Sequence, residues 1–343
     1  MNSKTNAFFK SITRFDRSAF SLSTGVRASI FAIAPLVGAL AFHQPLLIFA
    51  ALGAIFLTNT EGQPSVAPWW VLLVACFTEA ATLGLGTLAA TTGLLSPVFL
   101  GIAVSVILLA RVSPKWAATA TFTAITFAVG AGIPGASMEE AALRLSYSLF
   151  GALLALLGVG LHRLVLSRRH RSGQTNAPVG QPMTRSEALR SAVLLGILSA
   201  LGFTIGFVLG LPRDFWVVIT LIISVRPSLS LTVSFTLTMA VGTIIGALIA
   251  AVITLETSDV YVLVPLMFAF AVLMFASRGV NVGLVQIFLV PFIIILLNII
   301  YPGEWYLAFY RVLEVAIGIV LSIIAVYLLS VRKRSSRPES GKH

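Results

Sequence analysis

The chain has 343 residues, of which 58% are hydrophobic and only 10% charged. A soluble globular chain carries about a quarter charged residues, so water is not the solvent for most of this surface. The net charge of +11 would suggest nucleic acid in a soluble protein, but here the bases cluster at the ends and in the breaks between apolar runs, where a membrane protein sets its orientation.

Residues 1–24 mix aromatics with Lys4, Lys10, Arg14 and Arg17, and no short apolar core with a cleavage site follows them. They read as a cytoplasmic N-terminal segment without a signal peptide. Spans are then expected at about 26–42, 45–58, 69–90, 94–110, 116–132 and 143–163, a first six-helix module over residues 25–163. Pro45 suits the first turn of the second span. Residues 164–189 are polar and basic, with prolines and glycines, and read as a cytoplasmic linker. Six further spans, at about 190–210, 215–225, 231–254, 260–277, 280–300 and 308–330, form a second module over residues 190–330. Residues 331–343 make a basic cytoplasmic tail. The expected fold is all-α, a polytopic membrane protein of about twelve transmembrane helices with both termini cytoplasmic.

Charge supports that orientation. Arg111, Lys115, Arg163, Arg168, Arg169, Arg171, Arg185, Arg226 and Arg278 fall on one side, whereas Glu139, Glu140, Asp214, Glu256, Asp259 and Glu304 fall on the other, with Arg213 as the one base in an outer loop. The two modules also share a layout. Leu47–Ala90 has an apolar arm, a polar break (Thr58 to Gly62) and a long arm ending in GTLAA, while Phe215–Ala250 repeats this around Arg226-Pro227-Ser228 and ends in GTIIGA. Arg27 is matched with Arg190, and Arg144 with Arg311. An even number of spans per module makes the repeat parallel.

The sixth spans carry the strongest candidates for a substrate site. Arg144, Tyr147 and Gly151 lie on one helical face, and Arg311, Glu314 and Gly318 on the equivalent face of the second module. Two guanidinium forks could receive an anion from opposite sides, the competing reading being arginines that snorkel to the headgroups. Arg226, in the second polar break, is a further substrate-binding candidate on the inner side. Glu79, about ten residues into the third span, is costly there unless neutral, paired or facing a water-filled route, and is the candidate for proton coupling. Pairing with a hydroxyl or basic group on a neighbouring helix is the structural alternative. Gly84, Gly86, Gly242 and Gly246 read as packing positions. Asn281 and Asn298 read as caps or interhelical bonds, and Cys76, the single cysteine, as a packing residue. The four histidines are scattered and form no metal cluster, and no nucleotide-binding or hydrolase motif is present, so neither an enzyme, a cofactor nor a metal is expected.

The run WVVITLIISVRPS followed by GTIIGALIA, with RVLEVAIGI opening the last span, resembles the fusaric acid resistance family, which includes the aromatic acid exporters. Trp216, Arg226, Pro227, Ser228, Gly242, Thr243, Gly246, Ala247, Arg311, Glu314 and Gly318 carry the resemblance; in the first module Gly86, Thr87, Arg144 and Gly151 match it. It implies an inner-membrane protein that moves aromatic carboxylates or related toxic compounds outward. It also implies a homo-oligomer, by analogy with plant anion channels of six spans per subunit that assemble as dimers. Exporters of the family often work with a periplasmic adaptor, but the large cytoplasmic domain they carry after the sixth span is missing here, which weakens that expectation.

The reading is a secondary transporter exporting small organic anions, with the lipid bilayer and the substrate as partners and no nucleic acid. A passive anion channel lined by the same arginines, and a membrane scaffold subunit without flux, are the alternatives.

Overall fold

The computed structural model describes residues 19–61, 68–166, 184–226, 228–300, 303 and 305–335. Most of the expected N-terminal segment and linker, the end of the tail, and Gly62, Pro227 and Glu304 lie outside the described residues. Within them the chain forms twelve α-helices: α1 (Leu22–Ala41), α2 (Leu47–Glu61), α3 (Trp69–Ala90), α4 (Ser96–Leu108), α5 (Ala117–Gly132), α6 (Met138–Leu166), α7 (Arg185–Val208), α8 (Phe215–Ser224), α9 (Leu229–Glu256), α10 (Val260–Ala276), α11 (Val282–Ile300) and α12 (Leu307–Ser335). Single 3₁₀ turns flank α4 and precede α5.

Eight helical stretches are long and apolar enough to cross a membrane: α1, α3, α4 with its flanking turns, α6, α7, α9, α11 and α12. Their outward faces carry large apolar side chains such as Leu157, Phe207, Leu248, Val252 and Phe309. A surface of this kind is stable against acyl chains and unstable in water, and helices satisfy their backbone polar groups internally, as lipid requires. The protein is a polytopic, all-helical membrane protein. The remaining four helices are shorter: α2 has 15 residues, α5 16, α8 10 and α10 17.

Local chemistry sets the helix ends. Ser21 caps α1, Thr184 and Glu187 form a reciprocal capping box on α7, Ser228 caps α9 and Asp259 caps α10. Asn281 accepts from the Gly283 N–H at 2.7 Å at the start of α11, and buried Asn298 accepts from Gly303 at 3.1 Å, so both act as local caps. Two expectations are corrected. The second helix starts at Leu47, leaving Pro45 in the preceding turn with its carbonyl accepting from Ile48. Residues 58–61 continue α2: the Thr58 hydroxyl and Asn59 amide donate to the carbonyls of Ala54 and Ile55 on their own helix, which spares the chain a break there.

The pairings follow a pattern. α3 packs on α5 and α9 on α11; α2 packs on α6 and α8 on α12; α3 also meets α6, and α9 meets α12. Between the two sets of six, α4 runs along α7 and α1 along α10. Small residues permit these approaches. A Cβ on Gly151 would strike the Ala50 backbone, one on Gly53 the Ser148 backbone, and one on Gly101 would come within 2.9 Å of the Gly196 carbonyl. Gly84 and Gly86 abut Ala141 and Phe127, while Gly242 and Gly246 abut Gly283 and Gln286.

The turns after α1 and α7 are alike. Each passes through a left-handed residue, His43 (φ 52°) or Gly210 (φ 64°), and the next N–H reaches back to a helix carbonyl, Gln44 to Ala39 and Leu211 to Gly206. Arg27 and Arg190 do not share this alignment, since Arg27 lies about one helical turn nearer the end of its helix. The main core joins both sets of helices, with Leu83, Leu100 and Ile125 packed among Leu195, Val217, Leu221 and Leu321.

Candidate functional site

The helices define two ends of the molecule. The N-termini of α2, α6, α8 and α12 gather at one, termed the upper end, and the α8–α9 turn lies toward the other, the lower end. Arg144 and Arg311 sit at the upper end and are both almost fully buried, at 3% and 4% exposure. Neither guanidinium is exposed on the surface of the bundle. Each stacks on an aromatic ring near the start of a short helix: Arg144 lies 5.1 Å from the Phe49 centroid on α2, and Arg311 4.5 Å from the Trp216 centroid on α8.

The polar surroundings of the two arginines differ. Arg144 Nε donates to Glu140 Oε2 at 3.2 Å, one turn earlier on α6. Its Nη1 donates to the Thr87 hydroxyl and the Ile133 carbonyl, and its Nη2 to the carbonyls of Pro134 (2.6 Å) and Gly135. All five N–H groups of the fork are engaged. This arginine ties the α5–α6 turn to α3 and α6. Tyr147, on the same face, is half-buried and makes no hydrogen bond among the described residues.

Arg311 Nε and Nη1 are buried without a hydrogen bond, as are both carboxylate oxygens of Glu314, one turn further along α12. Glu314 is wholly buried. The charges acting on it are Arg311 on its own helix and Arg213 and Asp214 from the α7–α8 turn, and the Arg213 backbone N–H approaches it without the geometry of a full hydrogen bond. Asp214 lies against Gly132 at the end of α5 and Gly206 on α7, so it sits where the two sets of helices meet. Burial pushes its carboxyl up to about 7, against the opposing pull of the Phe215 N–H and Arg213. In the sequence Asp214 is legible only as an outer-loop charge. Its burial beside two glycines of other helices has no local sequence signal.

Glu79 is fully buried on α3. Its Oε1 accepts the Thr60 hydroxyl at 2.7 Å, from the last turn of α2, while Oε2 has no partner. The structural alternative raised for this residue, a hydroxyl on a neighbouring helix, thus describes half of its surroundings.

Toward the lower end, Arg226 follows α8, its guanidinium 3.9 Å from the centroid of Phe235 on α9. Arg111, after α4, donates from Nε and Nη2 to the Thr121 hydroxyl and from Nη2 to the Ile222 carbonyl of α8. Arg278, after α10, donates from Nη1 to the Thr58 carbonyl of α2 at 2.8 Å. The structure therefore groups Arg311 with Glu314 and Asp214, keeps Arg144 in a separate cluster with its own partners, and leaves Glu79 and Arg226 in two further places. Among the described residues no group of three His, Cys, Asp or Glu side chains is placed to hold a metal ion.

These features belong to a membrane-embedded helical protein with buried, incompletely paired charges, the class in which transport proteins fall. A family described as fusaric acid resistance protein-like matches residues 200–325, from within α7 to within α12. The matched stretch contains Asp214, Trp216, Arg226, Arg311 and Glu314, but neither Arg144 nor Glu79. No curated protein and no solved structure matches the chain.

Proposed function

We propose that the protein is a secondary transporter that exports small organic anions, aromatic carboxylates among them, across the inner membrane. The observation that carries this reading is the Arg311–Glu314 pair: a buried guanidinium with two free donor atoms on a tryptophan face, beside a buried carboxylate approached only by the Arg213 backbone N–H and by no hydrogen bond of full geometry, inside the stretch similar to the fusaric acid resistance proteins. Leaving such groups unpaired in a low-dielectric interior costs stability, and a bound carboxylate on Arg311 with a proton on Glu314 would relieve both. Arg311 is the substrate-binding residue in this reading, Glu314 and Asp214 exchange protons, and Glu79 is a second protonatable group. Arg144 is assigned to holding the upper turn.

The same proposal includes twelve crossings arranged as two parallel six-helix modules, 25–163 and 190–330, with segments 1–24, 164–189 and 331–343 cytoplasmic. Matched helix pairings and a constant interval of 167 residues support it: 43 to 210, 49 to 216, 144 to 311 and 151 to 318. The lower end, with Arg111, Lys115, Arg163, Arg226 and Arg278, would face the cytoplasm. A homo-oligomer belongs to this proposal as well.

Purified protein in liposomes tests it. Labelled 4-hydroxybenzoate trapped inside should leave faster than from empty vesicles, and faster still under a pH gradient. Absence of flux for a broad anion panel under either condition sinks the reading, and resolvable unitary currents in planar bilayers would convert it to a channel.

A further inference from the structure

The α8 helix is only ten residues long, about 15 Å, half the thickness of a bilayer's apolar core. Its register against α7 is fixed by Asp214 beside Gly206 and Val217 beside Gly202. That antiparallel register sets Ser224, the last residue of α8, alongside Gly196, about three turns inside the start of α7 at Arg185. The helix α8 therefore ends partway along α7, within the helix bundle. Irregular backbone at that depth is tolerated where it is buried in protein or lines a polar cavity.

Two arginines converge there. Arg111 reaches the Ile222 carbonyl at the end of α8, and its positive charge and that of Arg226 act on each other. Among the described residues neither has a carboxylate partner. Arg226 makes no side-chain hydrogen bond among the described residues, its contact being the Phe235 face, and the Nη1 of Arg111 donates to nothing. Two like charges brought together in a partly buried place repel one another, so the arrangement lacks a counter-charge.

The other set of helices provides an internal control. Arg278 caps the end of α2 through the Thr58 carbonyl as Arg111 caps the end of α8. At the position matching Arg226, however, stands Asn59, whose amide is satisfied by Ile55 on its own helix. Capping a helix end therefore takes one arginine. The second arginine, with its donors free, is what remains to be accounted for.

We infer that Arg111 and Arg226 form an oxyanion site at the broken end of α8, where the carboxylate of the exported acid first docks from the lower end. Guanidinium forks suit the two oxygens of a carboxylate, and the free N–H groups of both arginines can share one. This rests on the export reading for the identity of the ligand. A lipid headgroup phosphate offers the same oxyanion chemistry and is the competing source.

The experiment measures equilibrium binding of labelled 4-hydroxybenzoate to purified protein in detergent, alongside efflux from liposomes and native mass spectrometry of retained lipid. Two sites per chain are expected. Arg226→Gln should weaken one of them about tenfold or more, Arg226→Lys should weaken it less, and Arg311→Gln should affect the other. Arg111→Gln should match Arg226→Gln, and because Arg111 also braces Thr121, Arg226→Gln decides if that variant fails to fold. Unchanged binding in well-folded Arg226→Gln overturns the site even if wild-type flux is normal. Loss of binding in Arg226→Gln with no flux in the wild type supports the site and removes the export reading instead. An anionic phospholipid retained by the wild type and lost from Arg226→Gln, with carboxylate binding intact, overturns the assignment to substrate in favour of lipid.

Discussion

Arg144 and Arg311 occupy matching places, each nearly buried, each on an aromatic ring of a short helix, each seven residues before a glycine packed on that helix. One is saturated and the other is not. Around Arg144, a carboxylate one turn back, the Thr87 hydroxyl and three turn carbonyls consume the whole fork. Around Arg311, the nearest acid lies one turn forward and makes no hydrogen bond to it. The same residue thus braces a turn where acceptors surround it and keeps open donors where they are withheld.

The largest expected effect breaks the saturated side. Arg144→Gln leaves several buried acceptors without donors and should cost about 3–5 kcal/mol of stability, enough to abolish recovery of monodisperse protein. Gel filtration of detergent extracts reads this directly, and wild-type yield with selective loss of flux would reverse the two roles. Arg311→Gln should do the opposite, lowering efflux tenfold or more while folded protein persists. Lysine at 311 should rescue part of the flux, because it restores the charge without the planar fork.

Asp214 sharpens the comparison through pH. Its partners are the Phe215 N–H and Arg213 beside it and Glu314 on α12, whereas α5 and α7 bring Gly132 and Gly206 to the contact. The folded protein holds this proton more tightly than the unfolded chain, whose aspartate titrates near 4. Its contribution therefore favours folding less as pH rises from about 4 through about 7. Asp214→Asn should flatten the fall in thermal stability over that window and remove an inflection near pH 7 from the flux profile. An unaltered stability profile would show that the carboxyl is not held protonated. The smallest effect belongs to the first set of helices: Thr60→Val removes the one hydrogen bond to Glu79 and should cost about 1 kcal/mol, with Glu79→Gln costing less. A larger loss for Glu79→Gln would mark that carboxylate as ionised.

Helix positions were legible in the sequence because the apolar runs are long and their breaks carry glycine, proline or charge. The end of α2 was misread, since Thr58 and Asn59 look like a polar break in one dimension yet bond backward along their own helix. The pairing of Arg27 with Arg190 came from similar flanking residues, whereas the alignment of turns is set by the left-handed residues His43 and Gly210. Sequence spacing found both Arg144 and Arg311 but could not separate them. What separates them is the position of backbone carbonyls in the α5–α6 turn, which no side-chain pattern encodes. Arg111 and Asp214 were missed as site residues for a related reason: their partners come from distant helices.

The packing of α1 along α10 governs the order of events during synthesis. Gly25 of α1 approaches the backbone of Val272, so α1 waits for nearly all of the following helices before its small-residue face is covered. At about 5–20 residues per second that interval is roughly ten to fifty seconds. By contrast α7 finds α4 already made. The N-terminal helices alone therefore cannot reach their final packing, and a chain cut in the linker should mature only when both pieces are made in the same membrane.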